Sequence, residues 1–260
     1  MVKKLQKFYL FLVFAFLYAP ILFLMVFSFN NSKLKTSWNG FTFKWYGELF
    51  RNSEILSSFY NSLMVAVLAT IFATVLGTFA AIGIYYMKNW KKSIALNINY
   101  IPVLNPDIVT AISLMVLFKV VSMENGFLTV LISHIMFTTP YVVLAVLPKL
   151  KQMSISLPEA AMDLGATPMY TLRKIIIPEI KPGIFSGAIL AFTLSLDDFV
   201  VSYFTTGNGF KTLSVTIFGM AKRGINPAIN ALSTLMFLGI LILLLLVYRT
   251  SKDPDEKRRK

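Results

Sequence analysis

The sequence has 260 residues, of which 56% are hydrophobic and only 14% are charged, whereas soluble chains have roughly 45–50% and 25%. This composition excludes an ordinary soluble domain. The charges that make up the formal net charge of +13 lie between hydrophobic runs and not in one patch, which is typical of membrane topology and disfavours a nucleic-acid partner. The chain has no cysteine, so disulfides, thiolate catalysis and cysteine metal sites are excluded.

Six apolar runs are long enough to cross a bilayer, which takes about 20 residues. The first follows three lysines and could be a signal peptide, but it is about twice the usual 7–15-residue apolar segment and lacks a small-x-small cleavage site. The second is so long that we expect it to tilt. The sequence therefore predicts an all-α integral membrane protein with a single transmembrane domain, residues 1–260, whose spans are Phe8–Phe29, Phe59–Met87, Ile101–Val121, Phe127–Leu147, Ile184–Phe204 and Ile229–Tyr248.

The orientation of these spans follows from the basic residues. If the N-terminus is inside, most of the 25 Lys and Arg residues fall in the N-terminal segment, the turn 88–92, the loop 148–182 and the C-terminal tail. All four would then be cytoplasmic, and cytoplasmic loops carry such an excess of positive charge. We therefore expect both termini in the cytoplasm.

The only histidine, His134, lies within the fourth apolar run. A metal site would need partner ligands, which the sequence does not offer. We expect His134 to pack between helices and to form a hydrogen bond with a neighbour.

The longest cytoplasmic loop, residues 148–182, carries the signals of a short helix. The residues from Ser156 to Glu159 predict a capping box, in which Ser156 accepts from the amide of Glu159 and Glu159 reaches back to the amide of Ser156. Gly165 is the residue best suited to end this helix in a left-handed conformation.

A second short helix is expected directly after this turn. Thr167 is its predicted N-cap and Pro168 its first helical residue. Pro178 is expected to end it, because proline has no amide to donate. The loop would then be a helix, a glycine turn and another helix.

The same loop matches a known pattern, Glu159-Ala160-Ala161, then Gly165, then Ile175-x-Ile177-Pro178. This resembles the EAA loop of ABC importer permeases, which has leucine where this chain has Ile177. In that family the loop inserts a short coupling helix into a cleft of an ATPase subunit. The resemblance implies a type I importer (MetI-like) permease fold, and that docking role for Glu159, Ala160, Ala161 and Gly165. On the residues alone, Glu159 could be only a helix cap and the alanines only good helix formers; both interpretations can hold together.

The chain has no phosphate-binding sequence of the form G-x-x-x-x-G-K-S/T. Gly207-Asn208-Gly209 lacks the third glycine of a dinucleotide motif and is typical of a turn. Nor does the sequence offer a hydrolytic constellation of His, Asp and Ser or a metal-ligand cluster. We therefore expect no enzyme activity and no cofactor on this chain, with ATP and Mg²⁺ bound by a partner ATPase.

Three acidic residues, Asp107, Asp197 and Asp198, fall within or beside apolar runs. A carboxylate at the bilayer centre costs about 2.5–3.5 kcal/mol, so each is a candidate functional residue. On a helical wheel Asp197 points about 100° away from Asp198, and we expect it to form a hydrogen bond or lie at an interface. Asp198 lies on a small, polar stripe, which could line a pore or pack against a second permease; we favour the pore. The stripe is Ala191, Ser195, Asp198, Ser202 and Thr205.

Asp107 follows Asn105-Pro106, which interrupts the third span. A broken helix at membrane depth lines a cavity or is buried in protein; alternatively, Asn105 or Asp107 only caps the helix after the proline. Carboxylates along a transit path suit a cationic cargo, since a charge pair at 4 Å gains about 4 kcal/mol at an effective dielectric of about 20. Tyr203 and the neighbouring phenylalanines could add cation–π contacts.

Two membrane segments extend the resemblance: Asn105–Val109 with Ala111–Leu114, and Ser195–Ser202 with Thr205–Gly207. They are similar to segments of the permeases of spermidine/putrescine importers, and the similarity runs over nearly the whole chain. It implies a polyamine cargo and a multi-pass protein of a bacterial cytoplasmic membrane. It also implies a second homologous permease, two ATPase subunits and an external substrate-binding protein as partners, besides membrane lipid. The candidate substrate path consists of Asp198, Asp197, Asp107, Ser195, Ser202 and Tyr203.

Two alternatives stay open at this point. The chain could belong to the same importer class but serve another small solute. It could also be a secondary transporter that uses its membrane aspartates as proton relays, although the coupling loop argues against this.

Overall fold

The computed structural model describes residues 2–32, 37–223 and 227–250. Within these residues the chain is almost entirely helical, and an isolated antiparallel bridge joins Asn30 and Phe41. A π-helical turn, Leu172–Ile176, lies between the eighth and ninth helices. In chain order the helices are α1 (Val2–Phe27), α2 (Lys44–Arg51), α3 (Ser53–Tyr86), α4 (Asn89–Leu104), α5 (Asp107–Val120), α6 (Phe127–Gln152), α7 (Ser156–Asp163), α8 (Pro168–Thr171), α9 (Ile177–Asp197), α10 (Val200–Thr205), α11 (Leu213–Arg223) and α12 (Ala228–Thr250).

The long helices confirm the all-α membrane class. Four described stretches are long and apolar enough to cross a bilayer: Leu5–Phe27, Ser53–Tyr86, Phe127–Gln152 and Pro168–Asp197. A fifth span results if α4 and α5 are counted together, and α12 occupies the position of the sixth. The count of six spans and the cytoplasmic position of both termini stay predictions. The basic residues beyond Thr250, on which the orientation partly depends, lie outside the described residues.

The third predicted span is broken at the proline that the sequence analysis singled out. Asn105 is extended, with φ −78° and ψ 138°, because the ring of Pro106 disfavours the helical region for the residue before it. The axes of α4 and α5 consequently differ by 101°.

Packing divides the chain into two compact units, residues 57–216 and residues 1–56 with 217–260; the prediction of a single permease domain stays a prediction. In the latter unit α2 is anchored by Trp45, whose indole Nε1 donates to the carbonyl of Asn30 at 2.6 Å. Tyr46 and Ser28 share a 2.8 Å hydrogen bond between their hydroxyls. Phe29 stacks on Phe41, with ring centroids 5.2 Å apart.

The unit of residues 57–216 is built around α6, which packs between α3 and α9. Val142 on α6 lies against a glycine of each neighbouring helix. If Gly77 of α3 carried a Cβ, that atom would lie 2.6 Å from the Cβ of Val142, and a Cβ on Gly187 of α9 would lie 3.1 Å from the Cγ1 of Val142. In membranes such small residues let helix backbones approach closely. The buried core around this contact includes Val143, Val146, Leu150, Ile180 and Ala191.

The prediction that Pro178 ends the second loop helix is wrong, and the helix of the fifth predicted span, α9, begins at Ile177 and not at Ile184. Thr171 continues into the π-helical turn, where the amide of Ile177 donates to the carbonyl of Leu172, five residues back. Pro178 then falls in the first turn of α9, where no amide donor is needed. The proline therefore does not end a helix here, since the helical stretch continues from Pro168 to Asp197.

The fifth predicted span is also interrupted near its other end. Asp198 is extended, with φ −60° and ψ 129°, and the chain becomes helical again at Val200. The continuous helical wheel drawn through Asp198, Ser202 and Thr205 is therefore wrong beyond Asp197. The residues of the predicted polar stripe are nevertheless largely buried, and α10 packs on α5 through Val201.

Candidate coupling surface and membrane-embedded polar cluster

The predicted capping box at the start of α7 does not form. Ile155, the residue before the helix, already has helical angles of φ −60° and ψ −32°, and no side-chain cap is made there. The amide of Leu157 donates to the carbonyl of Ser154 at 3.2 Å, and the hydroxyl of Ser156 is bonded to that of Ser154 at 2.7 Å. Ser156 lies inside the first turn, so it cannot act as the N-cap.

The predicted end of α7 is confirmed. Gly165 has φ +87°, the left-handed conformation. The amide of Ala166 donates to the carbonyl of Ala161 at 3.0 Å and that of Gly165 to Met162 at 2.9 Å, which is the bonding pattern of a Schellman motif. A Cβ on Gly165 would meet nothing within 4 Å, so the backbone conformation alone requires glycine here.

The restart of the chain after Gly165 is confirmed as well. Thr167 is extended and its hydroxyl accepts from the amide of Tyr170 at 3.3 Å, with Pro168 in the first turn of α8. The turn between α7 and α8 is thus fixed at both ends by local hydrogen bonds, which makes it a rigid element.

Around this turn the chain exposes large apolar side chains, and Leu164 is 88% exposed. Glu159 and Ala160 are exposed and Ala161 is half-buried, whereas Pro158 is buried. Exposed large apolar side chains that lie close together in the sequence, on the two short helices of one loop, are candidates for an interaction site. We call it the coupling surface; its apolar members are Ile155, Leu157, Met162, Leu164, Met169 and Tyr170.

The second feature is a buried polar cluster at the break in the fifth span. One carboxylate oxygen of Asp198 accepts from the amide of Val201 at 3.2 Å and the other from the amide of Ser202 at 2.7 Å. The carboxylate therefore holds the first turn of α10, as acidic groups at helix starts do. The backbone carbonyl oxygen of Asp198 accepts from the hydroxyl of Ser214.

His134 on α6 joins the two helices that flank this break. It is only 1% exposed. Its Nδ1 is 2.7 Å from the hydroxyl of Ser195 on α9, and its Nε2 is 3.0 Å from the hydroxyl of Ser202 on α10. The same Nε2 lies 3.5 Å from a carboxylate oxygen of Asp198. The expected hydrogen bond to a neighbouring helix is confirmed, and we call these four residues the His134 cluster.

The other candidate path residues lie outside this cluster. Asp107 is exposed in the first turn of α5, and Asp197 and Tyr203 are exposed on the fifth span. The ring of Tyr203 is 5.4 Å from that of Phe199. Within the His134 cluster, Ser195 and Ser202 are buried, and the side chain of Asp198 keeps 10% exposure. The assignment of all six residues to a substrate path stays a prediction.

Sequence reasoning placed Asp198 on a pore-lining stripe and did not connect it with His134. These partners are 64 positions apart, so no local spacing links them. The only available signal was that a histidine and an aspartate both occurred at membrane depth, where polar groups need partners. No group of three or more His, Cys, Asp or Glu residues that could hold a metal ion occurs in the part of the chain that the structure describes.

The chain is similar to known transport-system permeases in both sequence and fold. Residues 73–252 match the family described as "binding-protein-dependent transport system inner membrane component". The chain is 39% identical over 244 residues to the spermidine/putrescine transport system permease protein PotC of Escherichia coli K12, covering 94% of this chain and 92% of that protein. It is 42% identical over 235 residues to the putrescine transport system permease protein PotI of the same strain, covering 87% and 83%.

Solved structures show the same fold at low identity. A bacterial ABC transporter involved in the import of the acidic polysaccharide alginate matches with a TM-score of 0.73 and 12% identity, covering 97% of this chain and 96% of that one. The MetNI methionine ABC transporter in an inward-facing conformation matches with a TM-score of 0.58 and 19% identity, covering 81% and 95%.

Proposed function

Because the chain belongs to the family of binding-protein-dependent transport system inner membrane components, we propose that it is the permease subunit of an ATP-driven importer that moves polyamines, spermidine or putrescine, into a bacterial cell. As a member of this family it is a multi-pass protein of the cytoplasmic membrane and a transport subunit, not an enzyme. The observation that carries the cargo assignment is 39% identity, over nearly all of both chains, to permeases named for spermidine and putrescine.

The coupling surface supports docking of an ATPase subunit. Helix α7 presents Glu159 and Ala160 beside the exposed apolar side chains of the coupling surface. The small side chain of Ala160 would let a partner backbone approach closely. The left-handed turn at Gly165 fixes the direction in which Leu164 projects. Burying one such leucine against a partner contributes roughly 1.5–3 kcal/mol. ATP and Mg²⁺ would be bound by the ATPase, and this chain would need no cofactor of its own.

The complete importer would contain more than these two subunits. We propose a second homologous permease that completes the path, two ATPase subunits and an external binding protein that delivers the cargo. The two permeases would alternate between outward-open and inward-open arrangements, with the coupling helices moved by ATP binding and hydrolysis. Coupling of this kind is a free-energy linkage between two distinct sites and requires two states of the membrane part.

A cationic cargo fits the carboxylates at membrane depth. Asp107 and Asp197 are exposed on the membrane helices, and Asp198 keeps a partly exposed edge at the helix break. Each could pair with an ammonium group of a polyamine, and Tyr203 could contact the same group through its ring. An anionic cargo would be repelled by the same groups.

The cargo assignment is tested by competition. The complex, captured through a tag on this chain and reconstituted with its binding protein, should take up labelled spermidine. Excess unlabelled spermidine or putrescine should suppress uptake, whereas methionine or an oxyanion should not. Suppression by an amino acid or an anion, with no effect of polyamines, would overturn the assignment and favour another solute for the same importer class.

A further inference from the structure

Helix α6 connects the coupling surface with the break in the fifth span. It runs without interruption from Phe127 to Gln152, and α7 begins at Ser156, four residues later. The N-terminal end of α6 is bonded to the C-terminal end of α10, because the hydroxyl of Thr129 donates to the carbonyl of Thr205 at 2.8 Å. A displacement of the coupling helix can therefore reach α10 through the short chain segment that joins α7 to α6.

The two parts of the fifth span are attached to α6 in different ways. Helix α9 packs tightly against α6 through its glycines, since a Cβ on Gly183 would lie 2.8 Å from a side-chain carbon of Lys149. Helix α10 is only six residues long and follows the extended Asp198. It is tied to α6 by hydrogen bonds from Thr129 and with His134. Val201 of α10 also packs on α5, so α10 is held by α5 as well as by these directional bonds to α6.

His134 is the only titratable or charged residue that α6 places against this break in the described structure. Its Nδ1 is bonded to Ser195 before the break and its Nε2 to Ser202 after it, and the same Nε2 faces the carboxylate of Asp198. Since that carboxylate also accepts from two amides of α10, its orientation is fixed by α6 and α10 together.

We propose that His134 is a positioning residue that holds the Asp198 carboxylate at the helix break and transmits the displacement of α6 to it. The proposal rests on the proposed transport function. ATP-driven movement of the coupling helix would shift α6, and His134 would turn α10 and the carboxylate with it. The exposed edge of Asp198 would thereby face the cargo differently in the two states. His134 would contact no cargo itself.

Amide substitutions separate this role from simple packing. The side-chain nitrogen of glutamine reaches about as far as Nε2, whereas that of asparagine reaches about as far as Nδ1. H134Q can therefore keep a donor for Ser202 and Asp198, and H134N keeps only the contact with Ser195. A histidine that merely fills space would be replaced best by leucine, which is apolar and of similar size.

The test is uptake of labelled spermidine by the reconstituted complex, measured as Vmax and as KM for the loaded binding protein. H134A, H134L and H134N should lower Vmax about tenfold, because they lose the contacts of Nε2 with Ser202 and Asp198, a loss on the order of one net hydrogen bond, with KM changed less than about twofold. H134Q should retain at least about a third of the wild-type Vmax. The matched control is S133A, because Ser133 is also buried on α6 but donates only within its own helix, to the carbonyl of Thr129 at 2.6 Å.

Several results would overturn the proposal. Wild-type Vmax in H134L or H134A would show that His134 only packs, and equal loss in H134Q and H134N would show that Nε2 has no special role. If H134A does not assemble, the comparison of H134Q with H134N in assembled complexes still decides. Absence of uptake by the wild-type complex would instead contradict the proposed function and leave these variants without a baseline.

Discussion

Substitution of Gly165 tests the coupling surface, because an added Cβ there changes the backbone energy of the turn without a steric clash inside the chain. Its φ of +87° is a left-handed value, and a Cβ there would meet nothing within 4 Å. The left-handed conformation costs an L-residue with a Cβ roughly 1–2 kcal/mol of conformational free energy, and the cost is smallest for asparagine, which tolerates this conformation.

This magnitude predicts an order of effects. A penalty of roughly 1–2 kcal/mol lowers the population of the native turn by a factor of about 5–30 relative to alternatives. Since that turn aims Leu164 at the partner, G165N should keep most of the uptake. G165A should lose several-fold, and G165V should lose most, because a β-branched residue is a genuine outlier there. The protein should still reach the membrane, since no membrane contact is altered.

The assay is the ratio of spermidine uptake to ATP hydrolysis in reconstituted complexes matched for the amount of this chain. G165V should hydrolyse ATP with little uptake, or fail to retain the ATPase subunit. The control is G47A, in which a Cβ also meets nothing within 4 Å but the glycine has no left-handed φ; it should behave like the wild type. Wild-type uptake and a normal ratio in G165V would refute the reasoning.

Three further predictions concern other sites. L164E should reduce co-purification of the ATPase subunit about tenfold or more, because burial of a leucine contributes about 1.5–3 kcal/mol; unchanged pull-down would remove Leu164 from the interface. G77A should lower the thermal midpoint of the purified complex, because its Cβ would lie 2.6 Å from that of Val142 and overpacking costs about 1–3 kcal/mol. G83A, whose Cβ meets nothing within 4 Å, should not, and equal midpoints would contradict the close packing. D198N should lower uptake about tenfold or more through loss of a charge-assisted hydrogen bond; full uptake would exclude Asp198 from the path.

The parts of this structure that were predictable from sequence are those fixed by neighbours in the chain. Gly165 and Thr167 act through bonds between residues three to five positions apart, so their patterns predicted a left-handed helix end and a capped restart correctly. The break after Asn105 followed from the proline beside it. Long apolar runs predicted the membrane helices for the same reason, since span length is a local property.

The features that the sequence did not predict depend on distant contacts or on competing local bonds. Ser156 satisfied the capping-box pattern, but Ile155 is already helical and Ser154 takes the bond instead. The break at Asp198 has no proline or glycine to announce it. It is held by contacts with His134 and Ser214, which lie 64 and 16 positions away.

This chain is proposed to move a polyamine with energy supplied by a separate ATPase. The most direct measurement is accumulation of labelled spermidine in proteoliposomes that contain the tagged complex, with its binding protein outside and ATP at the ATPase side. We predict accumulation that requires ATP and the binding protein and persists when an ionophore collapses the proton gradient. Uptake that follows the proton gradient and ignores ATP would contradict the claim and indicate a secondary transporter.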